Sequence, residues 1–138
     1  MLGELIYEGR GKRTGRRVLS ADGGFKVEVA FEDTGKALGI DSQEIGTYWS
    51  VSRPDGSLYG EGQGVVLTPD GEWATWKGQG IGKFLGGGAV SYRGAIYYTT
   101  PSPRPARLNA IVGVFEFEVN ANGNTHTRIW EWKRTHLG

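Results

Sequence analysis

Glycine occupies every second position in two stretches of the sequence, residues 60–64 and 78–82. The chain has 24 glycines in 138 residues, together with five tryptophans, six tyrosines and five phenylalanines. Disordered glycine-rich chains lack such aromatic residues, so the glycines belong to folded structure. A period of two is that of a β-strand, whose alternate residues point to opposite faces of a sheet. The pattern therefore predicts strands with one face almost free of side chains.

Three short segments carry similar turn chemistry and predict how these strands pair. They are Arg53-Pro54-Asp55-Gly56, Thr68-Pro69-Asp70-Gly71 and Asn120-Ala121-Asn122-Gly123. Proline presets the first turn position and glycine accepts the left-handed one, which predicts a type I turn with a glycine bulge and a three-residue loop. For the third hairpin a two-residue Asn-Gly turn is the alternative, and it would shift the pairing by one residue.

Three-residue loops place Glu61 opposite Gln79, Trp49 opposite Glu61, and Glu116 opposite Arg128. The alternate face of the same strands then carries most of the glycines. Glycine in a strand interior weakens a sheet, so its presence in register needs a physical reason. Either large aromatic side chains cover the glycines of a tightly coiled sheet, or the glycines leave room for a ligand.

The hydrophobic alternation predicts eight strands in sequential order. They span residues 4–20, 25–32, 43–53, 57–68, 72–84, 88–100, 107–119 and 124–133. Residues 33–38 are predicted to form a loop, because glycine interrupts the only short helical pattern there. We predict an all-β fold, a single antiparallel up-and-down β-barrel domain over residues 1–138.

Composition excludes several classes of function. The net charge is +1, so a nucleic-acid partner is not expected, although the basic residues at 10–17 form the densest charge run. That run is interpreted as a solvated outer strand that resists edge pairing, with a phosphate- or RNA-binding edge as the alternative. The chain has no cysteine, two histidines, and no apolar run long enough for a membrane span. We expect a cytoplasmic protein without a metal or cofactor.

Several segments resemble a family of small uncharacterised prokaryotic proteins. They are Gly-Thr-Tyr-Trp at 46–49, Leu-Tyr-Gly-Glu-Gly-Gln-Gly at 58–64, Trp-Lys-Gly-Gln-Gly-Ile-Gly at 76–82, Tyr-Arg-Gly-Ala-Ile-Tyr-Tyr at 92–98, Ala-Arg-Leu-Asn at 106–109 and Trp-Glu-Trp-Lys at 130–133. The resemblance implies a barrel of the allene-oxide-cyclase type, a calycin-like architecture that includes cyclases and ligand binders. It implies no particular activity.

The polar residues that share a face with large aromatics are the candidate site. They are Glu61, Gln63, Gln79, Trp49 and Tyr59, with Arg93 and Asn109 from later strands. If that face lies inside the barrel, it would bind a small, largely apolar ligand without catalysis. The alternatives are an isomerase or cyclase in which Glu61 steers protons, and an oligomeric protein with a packed interior that associates through Trp130 and Trp132. The register does not decide which face is interior.

Overall fold

The structure, a computed structural model, describes residues 2–134, and eight antiparallel strands close into one barrel. The strands are β1 (Leu2–Ser20), β2 (Lys26–Ala37), β3 (Ile40–Ser52), β4 (Leu58–Leu67), β5 (Trp73–Gly86), β6 (Ala89–Thr99), β7 (Val112–Val119) and β8 (Asn124–Trp132), with a 3-10 helix at Ala106–Ala110. Each strand pairs with its neighbours in sequence, and β1 pairs with β8 to complete the circle. The predicted all-β barrel is confirmed.

The predicted hairpin registers are confirmed as well. Glu61 pairs with Gln79 across β4 and β5, and Glu116 pairs with Arg128 across β7 and β8. The glycine that ends each turn has a positive φ, 87° at Gly56, 86° at Gly71 and 82° at Gly123. The third hairpin therefore has the three-residue loop and not the two-residue alternative, since Asn120 N–H donates to the Asn124 carbonyl across it.

The glycine-rich face lies inside the barrel, where aromatic rings cover it. An added Cβ would lie 2.5 Å from the Trp76 ring at Gly64 and 2.5 Å from the Tyr92 ring at Gly82. At Gly46 it would lie 2.5 Å from Phe31. Aromatic cover is therefore the main reason for the alternating glycines, because the rings occupy the space that side chains would fill.

Two predicted boundaries are wrong. Residues 33–37 continue β2 instead of forming a loop, and Gly35 permits the close contact of β2 with β1, because a Cβ there would lie 1.9 Å from the Glu8 carbonyl oxygen. The reversal to β3 uses only Leu38 and Gly39, both with positive φ, which is typical of a tight hairpin turn. Residues 106–110 form the 3-10 helix, so β7 begins at Val112.

The two ends of the barrel differ. At one, here called the hairpin end, lie the connections at residues 21–25, 53–57, 87–88 and 120–123. At the other, the capped end, Leu108 of the 3-10 helix and Ile111 pack into the core, exposed by 2% and 5%. Arg104 holds this connection in place through ion pairs with Glu72 and Asp70. Within residues 2–134, no helix is long and apolar enough to cross a membrane.

Candidate active site

The residues predicted to orient a ligand inside the barrel point outward. They are Trp49, Tyr59, Glu61, Gln63, Gln79 and Arg93, and Asn109 lies in the connection at the capped end. Interior positions on β4 and β5 belong to the intervening glycines, because alternate residues of a strand take opposite faces. The side chains of this group therefore lie on the outer face, although Glu61 and Gln79 also border the interior cavity, and their part in ligand binding stays a prediction.

Three of these residues do come together, but on the outer surface. The Tyr59 hydroxyl lies 2.9 Å from Glu61 Oε1 and 3.0 Å from Gln79 Oε1. The Asn109 amide has a structural partner, since it accepts from the Thr100 N–H at 2.8 Å and donates to the Thr100 carbonyl at 2.9 Å. These contacts shape the surface and the β6–β7 connection without reaching the core.

The interior contains a different polar group, built around two carboxyl side chains. Asp33 of β2 pairs directly with Glu44 of β3, and their residues are only 4% and 2% exposed. Directly paired side chains on one face of a sheet are in contact range. Asp33 accepts hydrogen bonds from the Tyr7 hydroxyl and, at 3.4 Å, from the Thr127 hydroxyl. Two acids thus share the barrel core with a tyrosine and a threonine.

Burial determines the protonation of this pair. It raises the pKa of Glu44 well above its usual value, and the neighbouring charge of Asp33 raises it further. Burial also raises the pKa of Asp33, but hydrogen bonds from Glu44, Tyr7 and Thr127 oppose the rise. Two adjacent buried carboxylates are unfavourable together, so one of the two holds its proton to a higher pH than an isolated carboxyl would. We assign that proton to Glu44, because Asp33 has the donors that stabilise a carboxylate.

Two polar atoms beside the pair lack hydrogen bonds. Among the described residues, Glu44 Oε1 and Trp76 Nε1 are buried without a partner. The Trp76 N–H lies close enough to Glu44 to lower the pKa of its carboxyl, but it makes no hydrogen bond. An unsatisfied buried polar group costs about 1–3 kcal/mol, so its presence needs an explanation.

No cluster of three potential metal-binding side chains occurs in residues 2–134.

A partly open cavity of about 60 Å³ borders Glu44. Besides Glu44, its walls are formed by aromatic rings, two isoleucines, a threonine, and the β4 and β5 segments that contain the alternating glycines: Phe31, Tyr48, Trp76, Tyr92, Phe115, Phe117, Ile96, Ile129, Thr127, Gly60, Glu61, Gly62, Gly78, Gln79 and Gly80. A drug-sized ligand needs a pocket of about 300 Å³ or more, so most of the barrel is filled by its own side chains. The remaining space can admit a few non-hydrogen atoms next to the Glu44 carboxyl.

The sequence contained a signal for this pair. The inward residues of β2 are Val27, Val29 and Phe31, and the same alternation continues to Asp33. Glu44 lies two residues before Gly46 and therefore on the glycine-rich face. Once that face is taken as interior, both acids are placed inside. Assigning residues 33–38 to a loop concealed the first of them.

The outer face of β8 and β1 carries the tryptophans predicted to join subunits. Trp132 is 59% exposed and pairs with Leu2, while Trp130 is half-buried with Arg128 over its ring at 5.5 Å. Association through these residues stays a prediction. If it occurs, Trp132→Ala should lower the molecular mass measured by light scattering to that of a monomer, and Tyr97→Ala, elsewhere on the outer surface, should leave it unchanged. A monomeric wild-type protein would contradict the prediction.

Solved structures of similar length share the barrel. A protein with unknown function from Clostridium acetobutylicum ATCC 824 has a TM-score of 0.80 and 14% sequence identity, covering 93% of this chain and 96% of that chain. A beta-barrel like protein from Acinetobacter baumannii AYE has a TM-score of 0.77 and 14% identity, with 94% of each chain covered. An enzyme from Penicillium herquei has a TM-score of 0.68 and 14% identity, covering 93% of this chain and 92% of that chain.

No family model matches the sequence, and no curated protein is similar to it. The predicted resemblance to small uncharacterised prokaryotic barrels is confirmed by the bacterial structures. At 14% identity these likenesses show the shared fold alone.

Proposed function

We propose that the protein is a proton-transfer enzyme of the isomerase type, in which Glu44 exchanges a proton with a substrate held in the barrel cavity. The observation that carries the proposal is the position of Glu44. Its carboxyl is buried, its pKa is raised well above the usual value by burial and by Asp33, and it borders an apolar cavity with one oxygen unpartnered. A carboxylic acid whose pKa is raised toward the working pH suits general acid–base catalysis.

The pair can complete a proton shift without net consumption of a proton. Glu44 gives its proton to one atom of the substrate, which leaves two adjacent carboxylates in the core. That arrangement is unfavourable, so Glu44 recovers a proton from a second atom of the substrate. The substrate thereby changes the position of a double bond, and the protein returns to its initial state. Asp33, Tyr7 and Thr127 act as positioning residues that hold Glu44 in the protonated form.

The cavity walls support an isomerisation. Aromatic rings surround the Glu44 carboxyl, and a site with little water protects reactive intermediates from hydrolysis. The Penicillium herquei protein that shares this fold is described as an enzyme, which is compatible with catalysis on such a barrel. The second candidate is a barrel that binds a small apolar molecule without reaction, since the same cavity would hold such a molecule.

Deuterium exchange separates the two candidates. We expect the wild-type protein in D2O to introduce deuterium next to the carbonyl group of at least one compound in a set of small aliphatic enones and ketones, followed by proton NMR. Replacing Glu44 with glutamine preserves the shape of the side chain and removes its exchangeable acid. The exchange rate should fall at least about 100-fold, the usual contribution of a general acid or base.

The matched control is Glu32→Gln, because Glu32 is adjacent to Asp33 on the same strand but is exposed on the outer face. Its exchange rate should equal that of the wild-type protein. Equal exchange by wild type and Glu44→Gln would contradict the catalytic role of Glu44. Binding of these compounds without exchange above the buffer rate would favour the non-enzymatic barrel.

A further inference from the structure

Two arginines of the basic run lie on the face of β1 that continues the inner face of β2, where Arg13 is half-buried and Arg16 is exposed to solvent. Arg13 pairs with Phe31, and Arg16 pairs with Val29, and both partners are inward residues exposed by 4% and 7%. Arg10 and Lys12 point outward and are exposed. β1 pairs with β2 as far as Ser20 but with β8 only as far as Lys12, so its last residues extend past the end of β8. The interpretation of residues 10–17 as a solvated outer strand stays a prediction, and the register adds that Arg13 and Arg16 share one face of β1.

A β-bulge puts these two arginines on the same face. Residues three apart in a regular strand point to opposite faces, but the register shifts between Arg13 and Gly15, where Thr14 is the extra residue. Bulges often redirect a side chain next to a functional site. Here the bulge places a second positive charge on that face, toward the hairpin end of the barrel.

The surroundings of the two arginines offer hydrogen-bond donors and no acid. Neither Arg13 nor Arg16 has an ion pair with any carboxylate in residues 2–134. Both lie near the cavity-lining Tyr48, whose pKa is raised by burial and by Tyr92 and lowered by the two arginines. Thr125, 3% exposed, has a buried hydroxyl without a partner in the described chain, and it pairs with Gly11, two residues from Arg13.

We infer that Arg13 and Arg16 bind the carboxylate of an aliphatic acid whose chain extends into the cavity toward Glu44. The inference rests on the proposed function and specifies its substrate class. Guanidinium groups bind carboxylates through paired, charge-assisted hydrogen bonds. Two arginines without an ion pair at the hairpin end of the barrel would hold an acid with its charge near solvent. The Tyr48 and Thr125 hydroxyls are further donors on the same face.

The register sets the length of the acid. The successive inward residues of β2 are Asp33, Phe31 and Val29. Arg13 is paired with Phe31 and therefore lies two residues along the strand from Asp33. Arg16 is paired with Val29 and lies four residues along. At about 3.3 Å per residue these steps correspond to about 7 and 13 Å. With carbon–carbon bonds of about 1.5 Å in a zigzag, a chain of about six to ten carbons spans that distance.

The cavity volume favours an unbranched chain over a ring. A cavity of about 150 Å³ accommodates benzene, whereas the space beside Glu44 is about 60 Å³. A linear chain needs only its last few carbons there. The expected substrate is therefore a medium-chain aliphatic carboxylic acid that carries its reactive group near the far end.

Octanoate and 1-octanol test the inference, because they share a chain and differ in the charged group. We expect calorimetry to show that octanoate binds the wild-type protein at least tenfold more tightly than 1-octanol. The double variant Arg13→Gln/Arg16→Gln should weaken octanoate binding at least tenfold and leave the affinity for 1-octanol unchanged. The control double variant Arg10→Gln/Lys12→Gln makes the same change of charge on the outer face and should retain both affinities. Circular dichroism establishes that each variant is folded.

The inference is overturned if octanoate does not bind, if it binds no more tightly than 1-octanol, or if the inward and outward pairs of substitutions have equal effects. Glu44→Gln should bind octanoate as the wild-type protein does, because octanoate has no group for Glu44 to protonate. Failure of the arginine test with loss of deuterium exchange in Glu44→Gln would refute this inference and leave the proposed function standing. The reverse combination would identify an acid-binding barrel without catalysis by Glu44.

Discussion

Replacing Glu44 with glutamine is expected to stabilise the protein by about 2 kcal/mol at pH 8 and by much less at pH 4. Between the ordinary carboxyl pKa of 4.5 and the raised pKa of Glu44, the folded protein holds a proton that the unfolded chain has released. The free energy of unfolding of the wild-type protein therefore falls as pH rises, by at most about 1.4 kcal/mol per pH unit for one proton. Glutamine has no proton to lose and can still donate to Asp33.

Urea unfolding followed by tryptophan fluorescence from pH 4 to pH 8 measures this difference. A gain of about 2 kcal/mol corresponds to a rise in Tm of about 7 °C for a chain of this length. Glu32→Gln on the outer face should change stability by less than about 0.5 kcal/mol at every pH. If the free energy of unfolding of the wild-type protein does not fall, as pH rises, relative to that of Glu44→Gln, then Glu44 is ionised in the folded state. The assignment of the proton would then be wrong.

Gly64→Ala should destabilise the barrel by about 3 kcal/mol, a fall in Tm of about 10 °C. The new methyl group would lie 2.5 Å from Cε2 and Nε1 of Trp76, so the ring must move or the strands must separate. Trp76 is 8% exposed and is in contact with Phe31 in the core, with ring centroids 6.4 Å apart. Its displacement would therefore disturb neighbouring rings, and thermal unfolding measures the cost.

Gly15→Ala is the matched control, because a Cβ at Gly15 meets nothing within 4 Å and its φ is not positive. That variant should be within about 0.5 kcal/mol of the wild-type protein. Equal losses of stability in Gly64→Ala and Gly15→Ala would mean that glycine is needed for backbone flexibility and not to make room for the Trp76 ring. Tolerance of alanine at both positions would contradict the close contact of Trp76 with β4.

The architecture could be predicted from the sequence because local chemistry determined it. The proline–glycine turns fixed the pairing of Glu61 with Gln79, and period-two alternation identified most strands. The interior face could not be predicted in this way, since the register shows which residues share a face but not which face points into the barrel. Bulky aromatics stand on both faces: Trp49 and Tyr59 lie beside Glu61 and Gln79, and the rings of Trp76 and Tyr92 lie on the glycine face.

The candidate site was missed for a related reason. Residues 33–38 are predicted from the sequence to form a loop, whereas Asp33 and Glu44 meet because β2 continues to the Leu38-Gly39 turn, which brings it against β3. Arg13 and Arg16 share a face only because of a bulge, and one extra residue in a strand has no reliable sequence signature. Side-chain direction in both cases depends on pairing that the whole barrel decides.

The packing of Leu108 and Ile111 over one end of the barrel has a kinetic consequence. A molecule that enters at the hairpin end meets a blind end and must leave by the same route, in the part of the chain that the structure describes. Product and substrate cannot pass each other in so narrow a space. An enzyme of this shape would therefore show strictly competitive product inhibition. Its maximal turnover would be limited by the rate at which the product leaves through the hairpin end.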